Sequence, residues 1–147
     1  MIYSVFGKLI SKGENFVVLE TCGLGFQIMA SDKTIRALPE IGNEAKLFCH
    51  LHLREDGAEL FGFKTPEELE FFELLISVGG VGPKSALSVL EVADLKGLSA
   101  AIKENRPDLL TRASGIGRKT AERIILELKN KVEEGESEAV VRKMEGD

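Results

Sequence analysis

Gly115-Ile116-Gly117-Arg118-Lys119-Thr120-Ala121 decides how the rest of the chain is read. Apolar Leu109-Leu110 comes before it, and a helical run from Ala121 to Lys131 follows it. Thirty-five positions earlier stands a near copy, Gly80-Val81-Gly82-Pro83-Lys84-Ser85-Ala86. Leu74-Leu75-Ile76 precede that copy, and Leu87, Val89 and Leu90 follow it. Each copy reads as an apolar helix, a Gly-aliphatic-Gly turn, a cation or Pro-Lys, a hydroxyl, an alanine and a second helix. The repeat predicts two helix-hairpin-helix units in tandem.

The residue types suit a phosphate seat. Glycine lets the turn take positive φ and lets another backbone come close. Val81 and Ile116 can plug the gap between paired helices. Gly82 and Gly117 each open a helix, where unpaired N–H groups and the positive dipole end face outward. Lys84 and Lys119 fall in the first turn, where a cation weakens a helix unless an anion is bound there. Ser85 and Thr120 add hydroxyl donors. Other phosphate motifs fail on spacing: neither copy supplies G-x-x-x-x-G-K-[ST]. A dinucleotide fingerprint needs a strand before it and a small residue at positions 85 and 120. One such hairpin is no more than a helical corner; two at a fixed offset, each with its cation, point to nucleic-acid backbone.

The 147 residues suffice for one ordinary domain or two small ones. With 44% hydrophobic and 29% charged residues the chain reads as globular and soluble, with no membrane partner. The start, Met1-Ile2-Tyr3-Ser4-Val5-Phe6, reads as a strand and not as a signal peptide. Cys22 and Cys49 lie in strand-like runs and read as buried free thiols, which suits a reducing cytoplasm. A net charge of −5 argues against nucleic acid until its distribution is considered. Residues 131–147 hold six acids and three bases, whereas Arg112 to Arg123 hold four bases and one acid. The second hairpin is basic on an acidic protein.

Upstream, residues 1–63 read as strands: Ile2–Ile10, Phe16–Thr21, Gly25–Ala30, Ala45–Leu53 and Ala58–Phe63. A short helix, Ser31–Leu38, capped by Ser31 or Asp32, falls between the third and fourth. Five strands with a helix in that place are the layout of an OB barrel. In the fourth strand Leu47, Cys49, Leu51 and Leu53 alternate with Phe48, His50, His52 and Arg54. His50 and His52 share a face, as a metal pair would, but no third ligand lies near them in sequence. A solvated or DNA-facing strand surface is the other reading. Arg54-Glu55-Asp56-Gly57 turns between the last two strands. Acids in a turn are ordinary solvated residues; paired at a barrel tip, they would also repel a phosphate backbone. Thr65-Pro66-Glu67-Glu68 opens a helix with a capping box, placing a domain boundary near Lys64. That helix is expected to bury Leu69, Phe72, Leu75 and Ile76. Asp94–Lys103 reads as a connecting helix ended by Asn105 and Pro107, and Arg118–Val132 leaves the second hairpin. The expected organisation is therefore an all-β domain over 1–63, an all-α domain over 64–133, and an acidic linker or frayed helix over 134–147.

An OB barrel with Arg54-Glu55-Asp56 in its last hairpin, followed by tandem helix-hairpin-helix motifs, resembles the RuvA family of Holliday-junction proteins. Its most specific strings are Gly115 to Arg123 and Leu60-Phe61-Gly62-Phe63, and the resemblance spans roughly residues 1–135. The resemblance implies a non-catalytic DNA-binding subunit of recombinational repair, with no cofactor and no metal. It implies a homotetramer, or an octamer, that holds a four-way junction open and near square-planar. The hairpins would grip phosphates across the minor groove through Gly80, Val81, Gly82, Lys84 and Ser85 in the first copy. In the second they would use Gly115, Ile116, Gly117, Arg118, Lys119 and Thr120. Arg54 is expected beside the DNA as well, and Glu55 and Asp56 as acidic pins that help separate strands. Partners implied are junction DNA, the ATPase RuvB and a junction resolvase. The family's third domain, which contacts RuvB, has no counterpart after the linker, so recruitment of the motor by this chain is not among the expectations. A general duplex- or single-strand-binding repair module is the alternative. A hairpin-containing nuclease or glycosylase would need converging carboxylates or a Lys–Asp pair. Glu55 and Asp56 are adjacent and alternate faces if extended, and no Walker motif is present.

Overall fold

The computed structural model describes residues 1–146, with the backbone alone for residues 133–143 and 145. The chain forms two compact units, Met1–Glu73 and Leu74–Asp147.

The first unit is a closed five-stranded barrel in the order β1-β2-β3-β5-β4. Its strands are β1 (Ser4–Lys12), β2 (Phe16–Thr21), β3 (Leu24–Met29), β4 (Glu44–Arg54) and β5 (Gly57–Phe63). Helix α1 (Asp32–Ala37) joins β3 to β4. Closure depends on β1, which pairs antiparallel with β2 along one half and with β4 along the other. Its register shifts between Leu9 and Ser11, a bulge that bends the strand, and it runs on to Lys12 rather than ending at Ile10. A short parallel pairing of Ile28 with Leu60 and Met29 with Phe61 completes the ring. Inward residues Val5, Leu9, Val17, Leu19, Ile28, Leu47 and Cys49 form the core. Ser31 caps α1, its hydroxyl accepting from the Thr34 N–H at 3.1 Å.

Helix α2 (Pro66–Ile76) starts as expected, with the Thr65 hydroxyl accepting from the Glu68 N–H at 3.2 Å. Its residues Pro66 to Glu73 belong to the barrel unit. Phe72 stacks on Phe61 with centroids 5.5 Å apart and meets Phe63 at 4.8 Å. The compact units consequently divide inside α2, between Glu73 and Leu74, and not at the helix start near Lys64. Phe71 is buried and Ile76 only half-buried, so the apolar stripe is rotated from the expected one.

The second unit holds α3 (Pro83–Val92), α4 (Leu95–Lys103), α5 (Pro107–Leu110) and α6 (Arg118–Glu145). Asp94 caps α4 through the Gly97 N–H at 2.7 Å, and Asn105 ends that segment at φ 56°. Ala121, Ile124, Ile125, Leu128 and Val132 of α6 are buried at helical spacing, and α6 packs on α4 and α5. The expected linker or frayed helix at 134–147 has a helical backbone through Glu145; its side chains at 134–143 and 145, and all of Asp147, lie outside the described residues.

Candidate nucleic-acid interface

The two hairpins are built by the same hydrogen bonds at the same offset. In the first, the Val78 N–H donates to the Leu75 carbonyl at 3.1 Å and the Val81 N–H to Val78 at 3.2 Å. In the second, Ala113 donates to Leu110 at 3.1 Å and Ile116 to Ala113 at 3.2 Å. Val81 and Ile116 are buried, as the plug between helices requires. Gly82 and Gly117 then begin α3 and α6, their carbonyls accepting from Ala86 and Ala121 at 2.9 Å each.

The structure sorts the four hairpin glycines into two kinds. Gly80 and Gly115 have φ of +88° and +83°, so the turn itself demands glycine there. Gly82 and Gly117 do not. Neither has a positive φ, both are exposed, and a Cβ built on either would meet nothing within 4 Å. The fold leaves these two positions open to other residues, and a bare Cα there serves close approach from outside.

Helix α3 combines a missing side-chain cap with a first turn free of acids; α5 lacks only the cap and α4 only the acids. Helices α1, α2 and α4 are capped by the side chains of Ser31, Thr65 and Asp94. Helix α3 begins at Gly82 with no side-chain cap. Acids occupy the first turn of α1, α2 and α5, but of neither α3 nor α6. Lys84 and Lys119 stand in those turns instead, exposed and without an ion-pair partner among the described residues. Cations at a helix N-terminus work against the dipole. An open Cα and a free cation at a helix start are the chemistry that an anion seat requires. Arg118 is exposed too, with its Nε donating to Glu122 at 3.0 Å.

Ser85 and Thr120 meet the opposite hairpin. A Cβ on Gly115 would lie 2.4 Å from the Ser85 hydroxyl, and the atom nearest a Cβ on Gly80 is the Thr120 hydroxyl at 3.8 Å. Each hydroxyl faces the positive-φ glycine of the other hairpin. They line a seam between hairpins, a pairing that a repeat offset cannot disclose.

In the barrel, Glu55 and Asp56 are the whole loop of the β4–β5 hairpin, between the paired Arg54 and Gly57. Asp56 is exposed. The Arg54 guanidinium lies 3.7 Å from Asp56 and also binds Glu59, so its charge is answered within the hairpin. Arg54 thus braces the acidic tip from within its own hairpin. Leu53, expected on the core face, is 63% exposed because the hairpin runs past the end of the barrel core. His50 is half-buried. It packs edge-on against Phe72 at 5.5 Å, with Nδ1 3.3 Å from Glu73. Among the described residues no group of three His, Cys, Asp or Glu is placed to hold a metal ion. Cys49 is buried, as read, but Cys22 is exposed, at a hairpin turn where it takes φ 53° beside Gly23.

A five-stranded barrel joined to reciprocally packed helical hairpins defines the class: an OB-type barrel protein with a tandem helix-hairpin-helix unit. Residues 1–62 match the family described as RuvA N terminal domain, and residues 72–130 match the SAM-like Helix-hairpin-helix tandem. The chain is 48% identical over 132 residues to the Holliday junction branch migration complex subunit RuvA of Thermoanaerobacter sp. (strain X514), covering 90% of this chain and 71% of that one. It is 44% identical to the protein of that name from Acetivibrio thermocellus, over 99% of this chain and 72% of that one. For Clostridium botulinum (strain Loch Maree / Type A3) the identity is 41%, over 96% and 74%. The chain belongs to the RuvA family.

Proposed function

We infer that this chain binds four-way DNA junctions as the non-catalytic DNA-binding subunit of a branch-migration complex. The relatives carry that role in their names. The observation that carries the reading here is the pair of open glycines: Gly82 and Gly117 stand at the starts of α3 and α6 ahead of Lys84 and Lys119, neither has a positive φ, and a Cβ on either would meet nothing within 4 Å.

Each hairpin takes one stretch of DNA backbone. Its uncapped N–H groups donate to phosphate oxygens, the bare Cα lets the chain come that close, and the lysine supplies the charge. Such contacts read no base, which suits a protein that must act on a junction of any sequence. The seam between hairpins fixes the spacing of the two phosphates. A single chain offers too little surface to organise four arms, so the working form is a tetramer with the β4–β5 hairpins gathered near its axis. There Glu55 and Asp56 repel phosphates that stray inward and keep the arms apart. Translocation is left to the ATPase partner, and the chromosome as substrate places the protein in the cytoplasm.

The test is anisotropy with a labelled four-way junction and a linear duplex of equal length, at matched salt. Preference for the junction is expected, with affinity falling steeply as salt rises because phosphate contacts release counterions. Equal affinity for the two would reduce the chain to a general duplex-binding module.

A further inference from the structure

The first hairpin is poorer than the second by one cation and one donor. Where the second carries Arg118, the first carries Pro83, which has no charge and no N–H. Both hairpins carry a lysine one place later. If both take a phosphate, the first lacks something the second has.

Arg123 reaches the first hairpin from the second. It belongs to α6, the helix leaving the second hairpin, but its guanidinium is laid against Gly79 at the mouth of the first. A Cβ built on Gly79 would lie 2.8 Å from Nη2, 2.9 Å from Cζ and 3.0 Å from Nη1 of Arg123. Three such similar distances mean that the planar group meets the glycine broadside. These are the three nearest heavy atoms to that Cβ, and Gly79 has no positive φ, so the guanidinium is what a side chain there would meet first. The Nε donates to Glu127 at 2.9 Å, which fixes the plane and leaves the Nη groups at the hairpin. The counterpart of Arg123 in the first copy is Ser88, whose hydroxyl donates to the Lys84 carbonyl at 3.2 Å. The arrangement therefore runs one way only, from the second hairpin to the first.

We propose that Arg123 completes the phosphate seat of the first hairpin, supplying from the neighbouring repeat the cation that Pro83 removed. The ligand is a nucleic-acid backbone phosphate, so the proposal rests on the DNA-binding reading above. Arg123 ties the two seats together: an arm held by the first hairpin is held partly by the second hairpin's helix.

Gly79 gives a test that changes no charge. A methyl group at residue 79 must push the guanidinium aside, so Gly79→Ala should imitate Arg123→Ala. Junction binding of the full chain is measured by anisotropy over a salt series, with thermal melts alongside. Each single variant is expected to lose about five- to tenfold in affinity, the size of one charged hydrogen bond at a partly exposed site. Arg123→Ala should also flatten the slope of log affinity against log salt by about 0.9 for every first hairpin engaged. The double variant should bind no more weakly than either single one, and Arg123→Lys should fall between. Gly79→Ala binding as wild type does would overturn the proposal, as would an Arg123→Ala variant that keeps the full salt slope. If Arg123→Ala melts far below wild type, the folded Gly79→Ala protein alone decides. Failure of the wild type to bind any DNA would instead defeat the functional reading itself.

Discussion

Single residues carry the separation between what the fold needs and what a ligand needs. Gly115→Ala would force a side chain into the left-handed region and against the Ser85 hydroxyl, costing about 1–3 kcal/mol of stability. Gly117→Ala meets neither obstacle, and its cost should stay near the ~1 kcal/mol of a poorer helix cap. Thermal melts of the two should differ clearly. Gly117→Val should fold and yet lose most junction binding, read by anisotropy. Cys49 offers a second contrast. Burial pushes its thiol up to about 11, against 9.0 for an unhindered one. In the unfolded chain it ionises first, so this contribution to stability is intact below pH 9 and is lost as pH rises through 11. At neutral pH a thiol reagent should therefore modify Cys22 alone in the native protein and both cysteines in denaturant.

At the level of elements, the β4–β5 hairpin and the two helix starts make opposite predictions. Removing the lysine from α6, Lys119→Ala, should weaken junction binding by about 1–2 kcal/mol per subunit, uniformly across sequences. Removing charge from the pin should do the reverse. Glu55→Gln with Asp56→Asn should bind junctions and duplexes at least as tightly as wild type, because repulsion of phosphate is the role proposed for these acids. Weaker binding by that variant would make them structural members of the turn. The helical hairpins were readable from sequence because their signals are local: a glycine spacing, a cation, an apolar flank. The β4–β5 turn was readable for the same reason. The partners of Arg54 were less so, since Glu59 meets it only across the strand pair. His50 was misread because its alternation says outward, while the helix that covers it starts more than a dozen residues later.

For the whole molecule, light scattering should give a tetramer at micromolar concentration; a stable monomer that still prefers junctions would refute the assembly. Fold class followed from the order of strands and helices, and the barrel's five strands lie within two residues of where the pattern put them. The division into units did not follow, because a capping box marks where a helix starts and not which core it serves. Phe72 ties most of α2 to Phe61 and Phe63, and only three-dimensional packing reveals that.

The seam between the hairpins bears on symmetry. Ser85 faces Gly115, and thirty-five residues on, Thr120 faces Gly80. One contact made twice with roles exchanged is the signature of a twofold dimer interface. The tandem unit thus has the internal form of two like hairpins paired about a pseudo-twofold axis. A pair within one chain is freed from self-complementarity, since each half can diverge alone. Pro83 against Arg118, and Ser88 against Arg123, are such divergences. The seam itself stays bound by that rule, so changes at 85 should travel with changes at 115, and changes at 120 with changes at 80.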